Sequence, residues 1–168
     1  MDRLSQGDVI ARSAAAGIAA LREEKGISVL AERTAYGRPE FQRAAMGAGL
    51  GKLGYYLEKR QDELLDDLAA LTRDPNYRTK LGAVDGIVGL ENPKGIAQLE
   101  KVADTSVLGA LRRNARRGIA EIRTKHAERA KRLEQQDELD KLKDETKELK
   151  ARLTALEARV GASSKRKV

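Results

Sequence analysis

The single histidine, His126, lies in the string HAERA. A zinc-peptidase helix needs HExxH, with a carboxylate beside the first histidine and a second histidine one turn on. Ala127 and Ala130 occupy those places. No cysteine is present, which excludes thiolate metal sites and disulfides. A Ser–His nucleophile pair would have at most this one base, and nothing in the sequence places a serine beside it. The acidic pairs Asp66–Asp67 and Glu23–Glu24 could do acid–base work only if buried in a cleft. They stand among basic residues and read as solvated helix faces. The glycine-rich run GAGLG at 47–51 sits inside a helical repeat and does not match a P-loop. The expectation is a chain with no catalytic, cofactor-binding or metal-ligating residue, no cofactor, and no enzymatic activity of its own.

Alanine, leucine and charged residues dominate, with three prolines, one Phe, four Tyr and no Trp. Such a composition favours helices over sheets. It also lacks the rings for a base-stacking surface. No run of about 18 apolar residues spans a membrane, and the N-terminus has no clean apolar export signal. The expected location is the cytoplasm.

A repeat organises the chain. GIAALREEKGISVL at 17–30 returns as GIVGLENPKGIAQL at 86–99, with seven identities and no gap. A shorter pattern, Gly-[Ile/Leu]-x-x-[Leu/Ile], occurs four times, starting at Gly17, Gly49, Gly86 and Gly118. Three residues before each glycine stands Ala14, Met46, Ala83 or Ala115. Each copy thus places apolar residues at i, i+4 and i+7, one face of a helix. Glycine inside a helix costs about 1 kcal/mol relative to alanine. Four in one register point to close helix packing at Gly17, Gly49, Gly86 and Gly118. Further helices are expected at 26–36, 57–72 and 93–104, with breaks at YGRPE, RDPNY, ENPKG and DTS. Asp74 before Pro75 reads as an N-cap followed by a first-turn proline.

Paired helices at this period predict an all-α fold: a HEAT-like α-solenoid of antiparallel pairs over 1–123, about three and a half units. The first helix, DVIARSAAAGIAAL, is apolar nearly all round and has no preceding partner. That pattern suits a helix covered on two sides, by a preceding repeat or by a partner.

After Gly118 there is no proline, and no glycine until Gly161. The last helix is expected to run on through 124–160, ahead of a disordered basic tail at 161–168. Its distal part has heptads, with Leu139, Thr146, Leu153 and Val160 at a and Leu142, Leu149 and Leu156 at d. In a parallel pair Glu138 would face Lys143, Glu145 would face Lys150, and Arg152 would face Glu157. All three contacts attract, whereas an antiparallel pair centred there would set like charges together. A parallel homodimer through 137–160 is the favoured arrangement, and docking of the leucines on the chain's own solenoid or on another domain is the alternative.

The net charge of +7 is uneven: residues 105–168 hold 18 Lys/Arg and 10 Asp/Glu. Arg112, Arg113, Arg116, Arg117 and Arg123 form a candidate polyanion contact. Interleaved Glu121, Glu128 and Glu134 and the scarcity of aromatics disfavour nucleic acid.

RAAMGAGLGKLG at 43–54 looks like a HEAT-repeat core. KGIAQLEKVAD…LRRNARRGIAEIR at 94–123, followed by the charged coil at 137–160, is similar to the C-terminal end of bacterial M1-family zinc aminopeptidases. The resemblance implies a substrate-access domain without the HExxH catalytic domain, and therefore a protein partner or parent enzyme supplying it. The residues alone leave two further possibilities: a free-standing adaptor that dimerises through its coil, and a nucleic-acid-binding solenoid.

Overall fold

The computed structural model describes residues 9–164, with side chains described through residue 154. The described residues are all-α: α1 (Val9–Leu21), α2 (Lys25–Glu32), α3 (Glu40–Tyr56), α4 (Gln61–Leu71), α5 (Tyr77–Gly89), α6 (Gly95–Thr105) and α7 (Gly109–Ser164). The helix expected over 57–72 is broken at its start. Leu57 caps α3, a 3₁₀ turn spans Glu58–Arg60, and only then does α4 begin. Asp62 and Glu63 lie in the first turn of α4, where carboxylates suit the positive end of the helix dipole. The chain divides into two units, 1–126 and 127–168. α7 continues through Gly161 to Ser164, so the helix outlasts the expected start of the tail; residues 165–168 lie outside the described residues.

In the first unit α1 packs on α3 and α3 on α5, while α2 and α4 pack against α3. The core between them is leucine-rich: Leu30, Leu50, Leu53, Leu64, Leu68, Leu90, Leu99 and Leu111 are buried with Ile87 and Ile122. The apolar column read from the sequence is buried in three copies. Met46, Leu50 and Leu53 face inward from α3, Ala83, Ile87 and Leu90 from α5, and Ala115, Ile119 and Ile122 from α7. The first copy differs. α1 buries Ala11, Ala15 and Ala19 instead, leaving Ala14 exposed and Leu21 67% exposed.

The long sequence repeat is one structural junction formed twice. Arg22 and Glu91, 69 residues apart, both adopt left-handed backbone, with φ of 56° and 53°. Around Arg22, its own amide donates to the Ala19 carbonyl, Gly26 to Glu23, and Ile27 to Glu24. Around Glu91, the same three bonds run from Glu91 to Val88, Gly95 to Asn92, and Ile96 to Pro93. A Cβ on Gly26 would lie 2.9 Å from Ile18 Cγ2, and one on Gly95 would lie 2.8 Å from Ile87 Cγ2. Glycine in both places lets the second helix of the hairpin cross tightly over the isoleucine of the first.

The N-cap of α5 is Asn76, not Asp74. Asn76 Oδ1 accepts from the Arg78 and Thr79 amides at 2.8 and 3.4 Å. Asp74 is turned inward, because the buried Arg43 guanidinium holds its carboxylate at 2.5 Å. Its other oxygen accepts from the Asn76 amide, which sets the turn ahead of α5.

Candidate interaction surfaces

Of the four glycines expected at close helix contacts, three are there. A Cβ on Gly49 would meet Ala15 Cβ at 3.0 Å, and one on Gly86 would meet the Gly47 carbonyl oxygen at 2.5 Å. A Cβ on Gly118 would overlap a methyl of Val88. Gly17 corrects the expectation: it is exposed, and a Cβ there meets nothing within 4 Å among the described residues. The tightest contact is one the repeat pattern missed. Gly47 and Gly51 of α3 face Gly82 and Gly86 of α5, backbone against backbone. Each helix carries glycines four residues apart. That spacing, independent of the four-copy column, was the available signal.

A groove of about 330 Å³ runs along α1, α3 and α5, lined in part by Arg12, Phe41, Lys52, Arg78 and Asp85. Arg78 stacks 4.0 Å above the Phe41 ring and reaches Glu40 at 3.2 Å. Solvent reaches Asp85, yet the surrounding protein desolvates its carboxyl enough to push its pKa up, and nearby Arg117, Lys52 and Arg12 pull against that rise. The groove is therefore rimmed by cations around one carboxylate.

The expected polyanion contact splits in two. Arg112, Arg113, Arg116 and Arg117 are exposed on α7 and form no ion pair among the described residues. Arg123 is taken by Glu100 at 3.1 Å. Lys125 is held by Glu91 at 2.7 Å and Glu121 at 2.9 Å, and both raise its pKa. His126 is exposed, and no group of three or more His, Asp or Glu able to hold a metal occurs among the described residues.

In the second unit, α7 exposes every described side chain. Leu139 is 48% exposed, Leu142 61%, Leu149 62% and Leu153 58%. Leu139, Leu142 and Thr146 share one face with Lys143, Lys147 and Lys150. Thr146 Oγ1 donates to its own helix at the Leu142 carbonyl, so this a position presents chiefly a methyl group to the seam. Lys143 pairs with Asp140 at 2.9 Å and Arg152 with Glu148 at 2.6 Å, both along the helix. The side chains of Leu156 and Val160, expected to complete the seam, lie outside the described residues. No described helix is long and apolar enough to cross a membrane. Comparison with protein families, curated proteins and solved structures finds no match for this chain.

Proposed function

We propose that this chain is a non-catalytic scaffold of stacked helical hairpins, HEAT-like in plan, that pairs in parallel with a second copy through residues 137–160. One observation carries the reading: four leucines at heptad spacing, interrupted by Thr146 and each about half exposed or more, along one helix face. Burying a leucine side chain contributes about 1.5–3 kcal/mol. These leucines are already about half covered, so eight of them from two chains supply roughly 6–12 kcal/mol, comparable with an association cost of about 4–15 kcal/mol. Any dimer is therefore weak and concentration-dependent. The proposal rests on this helix face and not on the aminopeptidase resemblance.

Sedimentation across a concentration range tests it. The wild-type chain should move from monomer to dimer, and Leu149→Lys should remain monomeric. A wild-type chain that stays monomeric at several hundred micromolar overturns the proposal. Orientation has its own readout. The protein has no cysteine, so Leu139→Cys introduces one thiol. A parallel, in-register pair oxidises to a disulfide-linked dimer, while an antiparallel pair does not.

A second reading is favoured by the unpaired arginines Arg112, Arg113, Arg116 and Arg117: binding of a polyanion along the start of α7. Four phosphate contacts would make duplex affinity fall with a log–log salt slope of about −3.6. Absence of duplex binding at low salt removes this reading.

A further inference from the structure

α1 and α5 are the same helix in two copies of one junction, as the matching turn, hydrogen bonds and glycine contacts show. On α5, Thr79, Gly82, Ala83, Gly86 and Leu90 are all buried, and α3 with α4 supplies their neighbours: Ala44, Gly47, Gly51, Gly54 and Leu68. Sixty-nine residues earlier, on α1, the corresponding residues are Ile10, Ser13, Ala14, Gly17 and Leu21. All five are exposed, Ile10 to 60% and Leu21 to 67%, where Thr79 and Leu90 are at 0% and 1%.

None of the five is charged. A terminal repeat facing water needs a polar outer face, and this face keeps the small and apolar residues of a stacking interface. Gly17 is the sharpest sign. Its counterpart Gly86 is required by the carbonyl of Gly47, while Gly17 weakens its helix with no neighbour to accommodate among the described residues.

We infer that the outward face of α1 is a repeat-stacking surface that takes a helical hairpin from a partner protein. The occupant is built like α3–α4: one helix with small residues four apart to meet Ala14 and Gly17, and a second with leucines to cover Leu21. The contact would repeat, one hairpin earlier, the one already formed between α3–α4 and α5. A second copy using α1 against α1 would bring only one 13-residue helix from each side. A hairpin meets the face with two helices, as α3–α4 meets α5.

The test supplies such a hairpin. Residues 38–73 are duplicated and joined ahead of the full chain by a flexible Gly/Ser linker, which makes docking intramolecular. The fused and unfused proteins both carry Leu149→Lys to silence the coil. Hydrogen exchange of the α1 amides should slow at least tenfold on fusion. Adding Gly17→Leu should abolish that slowing, while leaving exchange of α3–α6 in the unfused chain unchanged. Unchanged α1 exchange on fusion overturns the inference, and so does protection that survives Gly17→Leu. If instead the unfused Leu149→Lys chain sediments as a dimer that Gly17→Leu dissociates, the occupant is a second copy and the hairpin is wrong. Failure of the coiled-coil dimer leaves all these outcomes intact, since the coil is silenced throughout.

Discussion

Gly51 of α3 and Gly86 of α5 pack so closely that a Cβ on Gly51 would overlap the Gly86 carbonyl and lie 2.5 Å from its Cα. The obstruction is backbone, which cannot rotate away as a side chain can. Gly51→Ala is therefore expected to cost about 3 kcal/mol, at the upper end for overpacking. Gly17→Ala should go the other way, stabilising the isolated chain by up to about 1 kcal/mol through helix propensity. Urea unfolding midpoints of the two variants check the pair. Equal and small effects would contradict the close approach.

Arg43 and Asp74 form a buried pair, each side chain 6% exposed. Arg43 Nε also donates to the Thr34 carbonyl at 2.7 Å, tying the α2–α3 loop to the α4–α5 turn. Arg43→Met leaves Asp74 as a buried charge without its partner, and a loss of about 3–5 kcal/mol is expected. Arg43→Met with Asp74→Leu should recover part of it. Recovery stays incomplete because the Thr34 carbonyl and Asn76 amide lose their partners. A single-variant loss below 1 kcal/mol in denaturant unfolding would show that the clamp is not structural.

The left-handed residues Arg22 and Glu91 make equivalent turns, so they should respond alike to β-branching. Arg22→Val and Glu91→Val are each expected to destabilise by about 1 kcal/mol, since the second γ branch of valine adds crowding in a left-handed conformation that the unbranched Arg and Glu already tolerate. Glycine at either place removes that crowding. Its gain is offset at Arg22 by loss of the stacking 4.1 Å above the Tyr56 ring, and at Glu91 by loss of the Lys125 pair. Thermal unfolding in which valine is tolerated at one turn and not at the other would break the equivalence.

The second unit should be acid-sensitive. Lys143 and Gln136 hold the Asp140 carboxyl below its ordinary value of 3.8. A folded pKa below the unfolded one means that the contribution is fully present above the unfolded value. It is lost as pH falls through the folded pKa. Circular dichroism should thus show helicity falling below about pH 4 more in the wild-type chain than in Asp140→Asn. Parallel curves for the two proteins would remove Asp140 as a contributor.

Much of the architecture could be read from residue order. The all-α class, seven helices among the described residues and the duplicated junction follow from apolar spacing and from breaks at Gly and Pro. The N-cap was misplaced because Asp74 and Asn76 are both competent caps two residues apart. Only Arg43, 31 residues upstream, removes Asp74 from that role. The heptad leucines were evident for the same reason as the helices: their spacing is local.

What the sequence determined by itself is therefore which residues share a helix face, since 3.6 residues per turn is a property of the backbone. It could not say which of two apolar faces a neighbour occupies. α1 carries two: Ala11, Ala15 and Ala19 toward α3, and Ile10, Ala14, Gly17 and Leu21 toward solvent. The alanine face admits a closer approach of Gly49 than the bulkier one could. That choice depends on the surface of α3, and only the tertiary structure decided it.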